Sequence, residues 1–113
     1  MPDFSFSFAE TEGQTVIAVH GDLDSVSHVA LDDALEESVA DDARVIMDLA
    51  GLTFLDSRGL GTLVALWRRL ERGGGALVLA GARYNAARAL WVTGLADRFT
   101  MVDDLPAALA LQG

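Results

Sequence analysis

Residues 56–61 read Asp56-Ser57-Arg58-Gly59-Leu60-Gly61, a hydroxyl set between an acid and a base just ahead of two glycines. From Leu60 onward, Leu63, Val64, Trp67 and Leu70 recur at helical spacing, so Ser57 stands where a strand and loop turn into a helix. A hydroxyl in that place is open to three chemistries. It can cap the helix by accepting a free first-turn N–H, worth about 1 kcal/mol. It can accept a phosphoryl group, adding roughly 1.5–2 negative charges that the helix dipole tolerates and Asp56 repels. It can serve as a hydrolase nucleophile, provided a base lies within hydrogen-bond reach. Against the last, Leu55 stands where the first glycine of a Gly-x-Ser-x-Gly elbow belongs. Gly59-Leu60-Gly61 also begins like a dinucleotide fingerprint, but Val64 occupies the third glycine position.

Few other residues can do chemistry. His20 falls at the end of a strand pattern and His28 at a helix start; both read as surface or capping residues, and their spacing builds no metal site. The 113 residues include no cysteine, which excludes disulfides, iron–sulfur clusters, thiolate zinc and a cysteine nucleophile. All eight basic residues are arginine, so a Walker lysine, a Schiff base and a lysine general base are excluded as well. No cofactor is expected. A net charge of −9 and a pI of about 4.3 disfavour nucleic acid and anionic membranes as partners. The start, MPDFSFSF, lacks a basic n-region and a long apolar run, and no later stretch reaches the ~18 apolar residues of a membrane helix. A cytoplasmic location is therefore expected.

The elements that must position Ser57 follow from periodicity. Phe4, Phe6 and Phe8 alternate with serines as in a half-covered strand, Thr15–His20 forms a second strand, and Glu12-Gly13-Gln14 forms the turn between them. The polar loop Gly21-Asp22-Leu23-Asp24-Ser25 leads into a helix with Leu31, Leu35 and Val39 on its inner face and Ser25 or Ser27 as N-cap. Arg44–Leu49 reads as a buried strand, in which Asp48 either faces the strand's exposed end or accepts hydrogen bonds from the loop before Ser57, because unpaired burial is too costly. After the second helix, Gly73-Gly74-Gly75 is a stop signal. Ala76–Ala80 is a further buried strand, Ala86, Leu90 and Trp91 mark a third helix ending near Gly94, and Phe99–Val102 is a last strand. Asp103 or Asp104 then caps a short helix with Pro106 in its first turn. Trp67 reads as core and Trp91 as partly exposed. Strands alternating with helices after an opening hairpin predict an α/β sandwich on a mixed sheet, as one domain over residues 1–113.

Charge is unevenly spread. Residues 1–56 hold 13 acids and one base, whereas residues 57–113 hold 4 acids and 7 bases. From Asp22 to Asp42 the acids meet no base in sequence, which fits either a solvated face or a docking face for a basic protein.

Gly21-Asp22-Leu23-Asp24, Val45–Leu49 ending in Asp48-Leu49, Phe54–Gly61 and Thr93-Gly94-Leu95 occur in this order across nearly the whole chain. Together they resemble a STAS domain of the bacterial anti-sigma factor antagonist family. The resemblance implies a STAS fold of about five strands in a mixed sheet, with about four helices mainly on one face. It implies that Ser57 is phosphorylated by an anti-sigma factor with serine kinase activity, which the unphosphorylated form binds so that a sigma factor is freed. A phosphatase would reset the switch. Asp22, Asp24, Asp56, Ser57, Arg58 and Gly59 would form the partner surface, on a protein that is itself not an enzyme and is a monomer or weak homodimer. Family members usually carry Ser or Thr where this chain has Arg58, a group able to pair with a phosphate. The alternative within the resemblance is a scaffold subunit of a larger complex, of stressosome or lipid-transport type, with constitutive binding.

Overall fold

Alternating phenylalanines and a two-residue turn produce the expected hairpin. In the computed structural model, which describes residues 4–112, β1 (Ser5–Thr11) runs antiparallel to β2 (Gln14–Leu23). Gln14 belongs to β2 rather than to the turn, which is Glu12-Gly13 alone, because both of its residues hold the positive φ that a tight hairpin demands. The ends of the expected 1–113 unit, residues 1–3 and 113, lie outside the described residues.

Three parallel strands follow: β3 (Arg44–Leu55), β4 (Ala76–Ala80) and β5 (Thr100–Val102). The sheet order is β1-β2-β3-β4-β5, so each strand lies beside its predecessor. The connections are α1 (His28–Ser38), α2 (Ser57–Gly73) and the short α3 (Arg88–Val92) with a 3-10 turn at Leu95–Asp97. Leu31 and Leu35 of α1, Leu60, Leu63, Leu66 and Leu70 of α2 and Leu90 of α3 join Ile17, Val19, Val45, Met47, Leu77 and Leu79 in the main core. Those three helices therefore cover one face. The last helix, α4 (Leu105–Gln112), packs on the opposite face, where Ala108 meets Val16, Ile46, Val78 and Ala80. This is the expected α/β architecture.

Two of the boundaries that differ from expectation bear on the site. β2 continues to Leu23 and β3 to Leu55, so much of what reads as loop on either side is strand. β3 remains paired with β2 by carrying extra residues where Ala18↔Asp48 gives way to His20↔Gly51, and where Gly21↔Leu52 gives way to Asp22↔Phe54. Asp48 accepts the Ala50 N–H at 3.1 Å within the first irregularity, which is the hydrogen bond its position requires. The third helix is shorter than expected, since a turn occupies residues 84–86. Trp67 is half-buried, stacked on Phe99 with ring centroids 4.9 Å apart. No helix among the described residues is long and apolar enough to cross a membrane.

The glycine stop behaves as read. Gly74 takes the left-handed conformation at φ 86°, and its N–H returns to the Leu70 carbonyl. Because Leu63 is fully buried at the centre of the α2–sheet contact, Leu63→Ala is expected to cost about 2–5 kcal/mol, read as a lowered urea midpoint.

Candidate functional site

Parallel strands end together, so β2, β3 and β4 deliver their following loops to one end of the sheet. There β2 leads into residues 24–27 and β3 leads directly into α2 through Asp56. The helix N-cap is Asp56: its Oδ1 accepts the N–H groups of Arg58 and Gly59, each at 2.9 Å. The same carboxylate reaches across 31 positions, Oδ2 accepting the Ser25 N–H at 3.0 Å. The capping reading of Ser57 is thereby overturned. Ser57 is the first helical residue, exposed, and its hydroxyl has no hydrogen bond among the described residues.

The β2–α1 loop is ordered by its own polar groups. Asp24 Oδ1 accepts the N–H groups of Val26 and Ser27, each at 3.0 Å, and the Asp24 carbonyl accepts the His28 N–H. Those backbone bonds, from Ser27 first and then Val26, hold the Asp24 carboxyl below its ordinary range. Ser27 sits at the N-cap position of α1 yet makes no capping bond. Its hydroxyl instead donates to the Asp22 carbonyl at 2.6 Å and accepts the Asp24 N–H. Asp22 accepts the Thr53 hydroxyl at 2.5 Å, tying the loop to the end of β3. The three aspartates singled out in the sequence, Asp22, Asp24 and Asp56, thus shape the backbone around Ser57.

Gly59 is buried where α2 crosses the end of β2. A Cβ there would lie 2.2 Å from the Leu23 carbonyl oxygen, so only glycine permits this close approach. Arg58 is exposed beside Ser57. Two apolar side chains flank the hydroxyl's loops: Val26 is 81% exposed and Phe54 49%.

Between α1 and α2 runs a groove of about 390 Å³ that includes Ser57, Arg58, His28, Asp32, Thr62 and Arg69. Asp32 joins its walls, accepting the buried Thr62 hydroxyl at 2.6 Å on Oδ1 and contacting His28 Nδ1 at 2.8 Å through Oδ2. His28 is therefore a half-buried partner of Asp32 rather than a simple surface or capping residue. It shares the groove with Ser57, but no hydrogen bond joins the two among the described residues, so the base that hydrolase chemistry needs is not in contact with the hydroxyl. His28 and Asp32 are four positions apart on one helix, a signal present in the sequence; the Thr62 link spans 30 positions and has none. His20 lies on the other face, its ring against Gly51. Among the described residues no cluster of three His, Asp or Glu side chains is arranged for a metal. The acids are also less isolated than the sequence implies, since Arg69 lies 3.4 Å from Asp41.

Residues 5–108 match the family described as the STAS domain. Among solved structures, an anti-sigma factor antagonist from Mycobacterium paratuberculosis is 28% identical, with a TM-score of 0.86 over 96% of this chain and 93% of that one. The Bacillus cell fate determinant SpoIIAA in its phosphorylated form is 22% identical, with a TM-score of 0.73 over 96% and 98% of the two chains. An anti-sigma factor antagonist domain protein from Planctomyces limnophilus is 21% identical, with a TM-score of 0.78 over 96% and 98%.

Three outcomes follow from this geometry. Asp56→Ala, which removes both the cap and the bond to Ser25, should cost about 1–2 kcal/mol in urea unfolding. Gly59→Ala should cost about 1–3 kcal/mol in the same assay, because the Leu23 carbonyl cannot retreat without moving β2. In a carboxyl NMR titration Asp24 should show a midpoint below 3.8. With a depressed native value, its contribution to stability is present above the ordinary aspartate range and is lost as pH falls through that midpoint.

Proposed function

The chain belongs to the STAS domain family, and we propose that within it the protein acts as an anti-sigma factor antagonist controlled by phosphorylation of Ser57. The observation that carries this reading is the unengaged, exposed Ser57 hydroxyl at the first position of a helix already capped by Asp56. A serine relieved of capping can be modified without unfolding the helix it opens.

The unphosphorylated end of the sheet offers a partner Val26 and Phe54 as exposed apolar anchors beside the hydroxyl, with Arg58 next to it and the partly exposed carboxylates of Asp22, Asp24 and Asp56 around it. Asp22, Asp24 and Asp56 hold the two loops in register, and Gly59 lets them meet. The anti-sigma partner, a serine kinase, transfers the γ-phosphoryl group of ATP to Ser57 Oγ, the hydroxyl proton leaving as the new O–P bond forms and ADP departs. A separate phosphatase hydrolyses the ester. The product is a phosphate set against Asp56 in the middle of the contact. A micromolar complex is worth about 8 kcal/mol and an uncompensated buried charge costs several, so one phosphate shifts binding by orders of magnitude. This mechanism places the protein in the cytoplasm, as substrate and binder with no catalysis of its own.

The test is affinity capture from a lysate of the source organism with wild type, Ser57→Ala and Ser57→Asp as baits. Wild type and Ser57→Ala should retain an ATP-binding kinase that Ser57→Asp loses, with at least about tenfold weaker binding by titration, or 1.4 kcal/mol. Retention of the same proteins by all three baits would mark a constitutive scaffold and overturn the switch.

A further inference from the structure

β1 is one edge of the sheet, and apart from Glu10 near its end it lacks the devices by which edges are kept apart. It contains no proline, its pairing with β2 is unbroken from Ser5↔His20 to Thr11↔Gln14, and residues 4–9 carry no charge. In a chain of net charge −9 it offers a second copy a seven-residue edge with no acid at its centre. The opposite edge, β5, is three residues long and runs straight into Asp103-Asp104.

The hairpin fixes which backbone groups are free. In a hairpin closed by a two-residue turn the flanking pair, here Thr11↔Gln14, exchanges hydrogen bonds, and bonded pairs then recur at every second residue. Ser5, Ser7, Ala9 and Thr11 therefore point their N–H and C=O groups at β2, while Phe4, Phe6, Phe8 and Glu10 point theirs outward. The side chains of Phe4, Phe6 and Phe8 form a contacting row, with centroids 5.8 and 6.0 Å apart, that is only half-buried against the main core.

We propose that β1 pairs antiparallel with β1 of a second copy about a two-fold axis at Ser7, joining the two five-stranded sheets into one. This register sets Phe6 opposite Phe8 of the second copy, twice by symmetry, and Phe4 opposite Glu10. All four outward residues of each strand gain partners, and the two phenylalanine rows merge into one strip. The serines and Ala9 face the other way. Ser57 follows β3, two strands from the seam, so self-pairing leaves its hydroxyl accessible. The contact is one strand wide, which makes the dimer weak, and screening the mutual repulsion of two acidic copies strengthens it.

Sedimentation velocity over about 10 µM to about 1 mM should show a monomer–dimer equilibrium that shifts toward dimer with added salt. Ser7→Asp, which opposes two carboxylates across the axis at an exposed position, should leave only monomer with an unchanged circular dichroism spectrum. The chain is free of cysteine, and a non-hydrogen-bonded antiparallel pair brings Cα atoms to about 4.5 Å, within disulfide reach. Ser7→Cys should therefore oxidise to a covalent dimer at least about tenfold faster than the exposed control Ser38→Cys, a difference of about 1.4 kcal/mol in barrier. A monomer at every concentration, or equal cross-linking rates for the two cysteine variants, would overturn the proposal. So would a dimer that Ser7→Asp leaves intact.

Discussion

The carboxylate of Asp56 is the point on which this end of the molecule depends. One oxygen takes two N–H groups at the start of α2 and the other takes the Ser25 N–H from the loop after β2. The Asp56 N–H in turn donates to the Leu23 carbonyl at 3.3 Å. A single residue thus stitches together two loops that are far apart in sequence, and does so at the positive end of a helix, where a negative side chain is most stable. Everything distinctive about Ser57 follows from its neighbour having taken the cap. If the serine made those bonds, its hydroxyl would be occupied and its modification would cost the helix its first turn.

Around that carboxylate the loops are held by short polar links rather than by a large apolar contact. Asp24, Ser27, Asp22 and Thr53 form a chain from the start of α1 to the end of β3. This leaves the apolar side chains of Val26 and Phe54 with no interior role, and they project to solvent. Order without burial suits a surface that must be ready for a partner before the partner arrives, because the entropic cost of fixing the loops is met during folding. Asp32 does the same between the helices, holding His28 and Thr62 across the groove.

Much of this was legible in residue order. The Phe4, Phe6, Phe8 alternation, the heptad-like run from Leu60 to Leu70 and the triple glycine after it each reflect a local rule, and each element stands where the rule puts it. The extensions of β2 and β3 were not legible, since Gly21, Asp22 and Gly51 are poor strand formers held in place by the pairing of the two strands. Ser27 misled for a related reason. Its type fits a cap, but the carbonyl of Asp22 competes for its hydroxyl, and only the folded loop decides between them. The Asp56–Ser25 and Asp32–Thr62 bonds join residues about thirty positions apart, beyond any local pattern.

The strand order carries a consequence for how the molecule is made. With β1 to β5 laid down side by side in chain order, no strand has to insert between two already paired. A ribosome releasing the chain from its N-terminus would deliver the β1–β2 hairpin first, and each later helix and strand would find its template waiting. The Ser57 surface needs only β2, α1, β3 and α2, so it is assembled by about the time α2 has emerged. Among the described elements α4, the helix on the opposite face, emerges last, and until it docks Ile46 and Val78 lie open to water. Risk of aggregation during synthesis is therefore concentrated on that face and in that interval.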